Sequence, residues 1–238
     1  MKLRAKLERL WPDLVLGKPG AVHETRKLTR KAQAELRLAD APKKVERAWR
    51  DLRRAVSGVR DHDAAGEHLR AGLRELGGGE LGGGKAELAR LNKIWKAERA
   101  QMWAEVKLQG PPPDLKRPKD FDERVAKRLR KDWKKLVREA EKALAHDDPE
   151  VWHAWRKRLK AYRYTLEIDG KVPGALLDLL QALGRLQDAR VAREALASHP
   201  DLLPEHRAAL LAREEQAAQE SMARARELWP QVLGQHDA

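Results

Sequence analysis

Apolar residues recur at three- and four-residue spacing along most of the 238-residue chain, and no strand-like alternation of useful length interrupts them. Trp152, Trp155, Leu159, Tyr162 and Leu166 form one such stripe. Val125, Leu129, Trp133, Leu136 and Ala140 form a second, and Leu88, Leu91, Trp95, Met102 and Val106 a third. Ala, Leu, Glu, Lys and Arg dominate these stretches and β-branched residues are scarce, so intrinsic propensity favours helix as well. The pattern predicts helices over 2–10, 20–39, 43–57, 60–76, 85–109, 119–146, 149–169, 173–186, 188–198 and 204–229. Pro and Gly fall between them. Gly77 to Gly84 (GGGELGGG) reads as a flexible connector, and Pro111 to Pro113, with Pro118 behind, breaks the chain near its middle. An all-α fold is expected, with an N-terminal helical repeat over 1–110 and a C-terminal helical repeat over 118–238.

Two of the predicted helices carry the same polar signature. Offsetting the chain by 130 residues pairs His23 with His153, Arg26 with Arg156, Lys27 with Lys157 and Arg30 with Lys160. A second pair follows: the turn around Arg60-Asp61 matches Gln187-Asp188 at an offset of 127. An internal duplication of this kind implies pseudo-two-fold symmetry, with two bundles facing one another across a shared groove.

Helix geometry places these basic residues. At about 100° per residue, His153, Arg156, Lys157, Lys160, Arg163 and Tyr164 share the flank beside the Trp152–Leu166 stripe, while Arg158 points elsewhere. In the first copy Val22, Thr25, Thr29, Ala32 and Leu36 face inward, with His23, Arg26, Lys27 and Arg30 beside them and Lys31 following. A ladder at i, i+3, i+4 and i+7 covers about 10 Å of helix axis. Like charges stacked so closely repel, and an anionic partner would relieve that repulsion. On helix 119–146, Arg124, Arg128, Lys135 and Lys142 share one flank with Lys131 close by. Lys127, Arg130 and Lys134 lie on the far side, as plain solvent charges. On helix 85–109, Arg99 falls inside the apolar stripe and Lys96 at its edge. An inward Arg needs an anion or a carboxylate, which leaves a structural Asp or Glu and a bound phosphate as alternatives.

Charge sharpens this picture. The chain holds 50 Lys and Arg against 37 Asp and Glu, a net of +13. The excess is uneven: residues 1–163 carry 42 basic against 25 acidic residues, and 164–238 carry 8 against 12. A basic body with an acidic tail suggests a field aimed at a polyanion, the alternative being a charge-rich solvated surface. Cysteine is absent, which excludes disulfides, thiolate metal sites and Cys nucleophiles. No apolar run approaches the roughly 20 residues that span a bilayer, and the N-terminus has charges where a signal peptide needs its apolar stretch. A soluble cytoplasmic protein is expected.

These residues resemble the CHAD family, a histidine-containing α-helical domain. The resemblance covers nearly the whole chain. It rests on the two His-x-x-Arg-Lys-x-x-basic segments, the Arg163-Tyr164-Thr165-Leu166-Glu167 extension, and the paired Arg60-Asp61 and Gln187-Asp188 turns. It implies two four-helix bundles related by a pseudo-two-fold axis, and binding of inorganic polyphosphate in a basic central groove or pore. It also implies an association with polyphosphate granules. Family members are often fused to a triphosphate-hydrolysing domain; that partner's Glu-x-Glu-x-Lys signature is missing here, so a stand-alone module is expected. The copies differ in places: Gln187 stands opposite Arg60, Ala161 opposite Lys31, and Ala34 opposite Tyr164.

The expected polyphosphate-binding set is His23, Arg26, Lys27, Arg30, Lys31, Lys96, Arg99, Arg124, Arg128, Lys131, Lys135, His153, Arg156, Lys157, Lys160 and Arg163. Lys supplies a point charge and Arg a bidentate fork. His23 and His153 have two readings: charged donors to phosphate, or neutral imidazoles packed at helix N-termini. Neither has a His or carboxylate at i+3 or i+4, so no metal site is expected there. The best metal-like group, His62 and Asp63 beside Glu67 and His68, is read as exposed helix polarity. Asp61 and Asp188 are read as N-caps or hinge anchors. No P-loop, Rossmann fingerprint, HExxH or nucleophile elbow occurs, so no cofactor and no catalysis are expected. Nucleic acid is expected only as a non-specific polyanion competitor, and a membrane not at all. The alternatives are a nucleic-acid-binding protein and an enzyme acting on polyphosphate or triphosphate.

Overall fold

In the computed structural model the structure describes residues 3–77, 83–114, 116–170 and 172–237. The described residues form eight helices and no strands: α1 (Leu3–Val15), α2 (Pro19–Ala39), α3 (Lys43–Glu75), α4 (Gly83–Ala104), α5 (Phe121–Ala145), α6 (Pro149–Asp169), α7 (Gly174–Ser198) and α8 (Arg207–Asp237). The fold is all-α, as the periodicity predicts. Most of the expected Gly77–Gly84 connector lies outside the described residues.

Local chemistry sets several boundaries. Pro19 opens α2, where its missing N–H is no loss. Asp40 closes α2 in the left-handed region at φ 49°, its N–H bonded to the Leu36 carbonyl, a conformation Asp tolerates better than most side chains. Asp148 caps α6 by accepting from the Glu150 N–H at 2.9 Å, with Pro149 behind it.

Five helices differ from expectation. The predicted helices 43–57 and 60–76 are one helix, α3, and 173–186 and 188–198 are one helix, α7. Asp61 and Asp188 therefore lie inside helices and are not N-caps. Each sits among buried apolar neighbours, Val59 and Ala65 for the one and Leu183, Ala189 and Ala192 for the other, so burial carries the helix through. Helices α1 and α8 also run past Pro12 and Pro230. Leu14 and Val232, both buried beyond the prolines, hold those ends despite the hydrogen bond each Pro removes. Helix α4, by contrast, ends at Ala104, short of the expected residue 109.

The chain divides into two compact units, each drawing helices from both sides of the Pro111–Pro113 segment. The first comprises residues up to Arg60 and Val106–Leu180: α1, α2, the first half of α3, α5, α6 and the start of α7. Helix α6 packs against α5 and α2, and α2 also against α1 and α5. Its core is rich in tryptophan. Trp152 and Trp155 meet edge-on with ring centroids 5.7 Å apart, and Trp133 leans on Tyr162 at 5.8 Å. Buried indoles need an acceptor. Trp152 Nε1 donates to the His146 carbonyl at 2.9 Å, and Trp49 Nε1 to the Pro113 carbonyl at 3.0 Å. The latter bond ties the proline segment to α3.

The second unit comprises Asp61–Glu105 and residues from Gln181 onward. Its core gathers Leu69, Leu73, Leu91, Trp95, Leu196, Leu203 and Leu210. Gly66 on α3 lies against the Trp95 ring: a β-carbon there would sit 2.4 Å from Trp95 Cδ1. That indole is pinned by its bond to the His62 carbonyl at 2.9 Å and by stacking on the His62 ring at 4.9 Å. A buried polar hub lies nearby in the same unit. Glu214, 1% exposed, accepts from Arg185 Nη1 at 2.7 Å and pairs with His68 Nε2 at 2.9 Å, and Arg213 also reaches it. Burial alone would raise the Glu214 carboxyl. The hydrogen bonds from His68 and Arg185 outweigh burial and draw it down from 4.5 to about 2.

Two outcomes follow. Gly66→Ala should destabilise the protein in urea melts, because overpacking costs about 1–3 kcal/mol and the helix-propensity gain returns only about 0.5–1 kcal/mol. Glu214→Gln should cost about 1.5–3 kcal/mol at pH 7, since Arg185 and His68 lose the charge of their carboxylate partner while Arg213 keeps Glu75. A carboxylate lowered in the folded state stabilises above its unfolded pKa and loses that effect as pH falls through the folded value. The gap between wild type and Glu214→Gln should therefore close as pH falls from 4.5 to about 2, which acid-titrated thermal melts will read.

Candidate functional site

The two basic ladders meet in the first unit. Their apolar stripes are the reason. On α2, Val22, Thr25, Thr29, Ala32 and Leu36 are all buried, as expected. On α6 Trp152, Trp155, Leu159 and Tyr162 are buried. The two helices pack together, so the flank beside each stripe is brought toward the other. Tyr164, expected on the basic flank, is itself buried. Its ring lies under the Arg163 guanidinium, 4.7 Å from centroid to carbon, a cation–π contact that fixes Arg163.

The convergence is legible in the charge on Lys160. Burial depresses its amine most. The guanidinium groups of Arg156, Arg30, Arg163 and Arg26 depress it further, from 10.5 to about 7. Two of these arginines belong to α2 and two to α6. Arg53 of α3 belongs to the same cluster: burial, then Arg30 and Arg26, and then Arg54 and Arg37, lowers its pKa. Arg53 Nε is buried without an acceptor among the described residues. Arg26 Nη1 donates to the Ser57 carbonyl at 2.7 Å, which orients one guanidinium toward α3. Six cationic side chains (Arg26, Arg30, Arg53, Arg156, Lys160 and Arg163) thus influence one another on three helices.

Carboxylates sit toward the ends of the ladders. Glu167 receives Lys31 of α2 at 2.7 Å and Arg163 of its own helix at 3.2 Å, bridging the two ladders. Glu24 pairs with Lys27 at 2.9 Å, and that bond is the main cause holding the Glu24 carboxyl below its usual range. His23 lies 3.9 Å from Glu24 Oε1. His153 and His23 are each half-buried, and Lys157 is exposed beside them in the sequence pattern.

The α5 residues are arranged differently. Arg124 binds Asp120 at 2.8 Å and Arg128 binds Asp132 at 2.7 Å, each a pair within one helical turn. Lys131 and Lys135 are exposed. Lys96 and Arg99 lie in the second unit. Lys96 is exposed, whereas Arg99 grips Asp63 with Nε at 2.6 Å and Nη2 at 3.3 Å. Of the two alternatives for this inward Arg, the carboxylate is the one present. The structure brings together Arg26, Arg30, Arg156, Lys160 and Arg163 from the expected set, with Lys31 tied to them through Glu167.

Sequence reasoning missed Arg53 and Glu167. Arg53 stands four residues after the buried Trp49 and next to buried Leu52, a flank position like those on the ladders. Glu167 stands four residues after Arg163, the spacing of a same-helix ion pair. Of the group read as exposed polarity, Glu67 is exposed, but His62, Asp63 and His68 are not. His62 faces the Trp95 carbonyl at 3.1 Å, Asp63 holds Arg99 and His68 holds Glu214, so these side chains are spent on separate internal contacts. A different trio with ligand chemistry, Glu87, Glu205 and His206, converges within 4.8 Å. Glu87 is committed there to the start of α8, accepting from the Glu205 N–H at 2.8 Å and pairing with His206 Nδ1 at 2.5 Å.

No helix among the described residues is long and apolar enough to cross a membrane. No curated protein sequence matches the chain. A solved structure named PptA from Streptomyces chartreusis has a similar fold, with a TM-score of 0.63 at 20% sequence identity over 96% of each chain. The family model for the CHAD domain matches residues 1–197. With the match running through both ladders and across the helices that gather them, the chain belongs to the CHAD-domain family.

Proposed function

We propose that this protein binds inorganic polyphosphate, without turning it over, through the cationic cluster of α2, α3 and α6. The observation that carries this reading is the environment of Lys160: after burial, the strongest influences on it are four guanidinium groups from two helices. Half-buried like charges oppose one another and oppose folding. A cluster of this kind is stabilised by an anion with many closely spaced charges. Polyphosphate has about one charge per phosphate and no bases to read, so it asks for donors in a row and little else. Arg forks and Lys point charges meet that demand.

Binding without catalysis is the simpler chemistry for these residues. Phosphoryl transfer usually needs Mg²⁺ held by carboxylates. The two acids nearest the ladders, Glu24 and Glu167, are engaged by Lys27 and by Lys31 and Arg163. Membership of the CHAD-domain family supports polyphosphate over nucleic acid, and so does the duplication of the ladder. In a cell the same binding would bring the protein to polyphosphate granules, and it requires no cofactor.

Binding of long-chain polyphosphate to the purified protein at 150 mM salt, with duplex DNA and heparin as competitors, tests the proposal. The expected outcome is preference for polyphosphate, with phosphate release at background in the presence of Mg²⁺. Six to ten phosphate contacts would weaken affinity by about 10³–10⁵ between 50 and 200 mM salt on the duplex-DNA scale. Arg26→Glu and Arg156→Glu should each weaken the same binding event, and the double variant should fall short of the sum of the two, since they share one cluster. Equal binding of every polyanion, or full binding by the double variant with its helicity intact, would refute the proposal.

A further inference from the structure

Of the six cationic side chains in the cluster, Lys160 alone is not an arginine. Lys160 lies on the half-buried flank of α6, with Arg156 one turn before it and Arg163 one turn after. Across the α2–α6 contact it faces the field of Arg26 and Arg30. Guanidinium groups keep their charge at any pH a folded protein meets. The proton needed to relieve crowding can therefore come only from the lysine. We infer that Lys160 couples anion binding to proton uptake: half-buried between Arg156 and Arg163 on a helix packed against the arginines of α2, its amine takes up a proton when a phosphate chain enters.

The surrounding groups fit this assignment. On α6 the neighbouring charges are Arg156, Lys157 and Arg163, with Glu167 a further turn on and occupied by Lys31 and Arg163. On α2 they are Arg26 and Arg30, and on α3 Arg53, which acts on the same two arginines. The acids of α5 that face α6 belong to other flanks: Asp132 is held by Arg128 and acts on Tyr162, and Glu139 is held by Arg158. After burial, the arginines are the main influence on Lys160, and they leave the amine at about 7.

An anion brought among these groups favours the charged amine. By linkage, a ligand that raises the pKa of a group must bind more tightly where that group is protonated. Proton uptake through Lys160 should rise between pH 7 and pH 8 toward one proton per molecule, given a free value of about 7. Affinity should fall by about tenfold per pH unit above neutrality until the bound-state pKa is reached. The protein would then hold polyphosphate more firmly in a mildly acidic medium and release it as pH rises. This inference rests on the reading that the cluster binds phosphate chains.

The test is calorimetric titration of the full chain with long-chain inorganic polyphosphate at pH 8, in two buffers of different ionisation enthalpy. Long chains keep the contribution of terminal phosphates small. Wild type should take up close to one proton per binding event. Lys160→Arg keeps a fixed positive charge, so its uptake at pH 8 should vanish and its affinity should fall less steeply between pH 7 and 9. It also separates Lys160 from His23, His153 and the terminal amine, which it leaves unchanged. Binding by wild type with no net proton uptake, or uptake undiminished in Lys160→Arg, would overturn the inference while leaving the polyphosphate reading standing. Absence of polyphosphate binding at every pH would remove both. If Lys160→Arg does not fold, the wild-type uptake still decides: its absence is fatal, and its presence at pH 8 is assigned by following the Lys160 amine resonance in free and bound protein.

Discussion

The packing of α2 on α6 is the constraint on which the candidate site depends. Each helix has an apolar stripe and a basic flank beside it, and burying the stripes leaves the flanks nowhere to go but toward each other. Hydrophobic burial thus works against electrostatics here. Trp152, Trp155, Leu159 and Tyr162 are largely removed from water, and full burial of side chains of this size stabilises by about 1.5–3 kcal/mol each. The same packing depresses the Lys160 amine by placing it among four arginines. The core is strong enough to hold together charges that would separate if free.

Small polar fixtures make that arrangement specific. Glu167 takes Lys31 from α2 and Arg163 from α6, Arg26 reaches the Ser57 carbonyl of α3, and Arg163 rests on Tyr164. Each restrains a long side chain whose rotamer freedom would otherwise have to be lost on binding. The second unit shows the opposite solution to buried charge. Arg99 is answered by Asp63, and His68 and Arg185 by Glu214. In the one unit Lys160 sits among four arginines, and in the other Arg99 and Arg185 each meet a carboxylate.

That contrast explains why the expected site set divides as it does. From a single helix, Arg99 and Arg156 look alike: both are basic residues near an apolar stripe. Arg99 meets its carboxylate 36 positions away, at Asp63, a partner that one helix alone does not reveal. Arg124 and Arg128 differ: their partners, Asp120 just before α5 and Asp132 within it, are only one turn distant, and that spacing could have been read as ion pairing. Arg53 escaped notice because α3, though it also carries Arg47, Arg50, Arg54 and Arg60, lacks the His-x-x-Arg-Lys signature that marks the two ladders.

The sequence by itself determined the helical class, most helix limits, the inward faces of α2 and α6, and the duplicated ladders, because periodicity and propensity are local and repeat within a few turns. It misplaced the ends of α1 and α8 and divided α3 and α7, because there tertiary burial of Leu14, Val232, Val59 and Ala189 overrides the local signals of proline, glycine and aspartate. Only the tertiary structure decided which cations meet. Charge acts through space over several ångströms, and residues 30 and 160 become neighbours only when their apolar stripes are buried together.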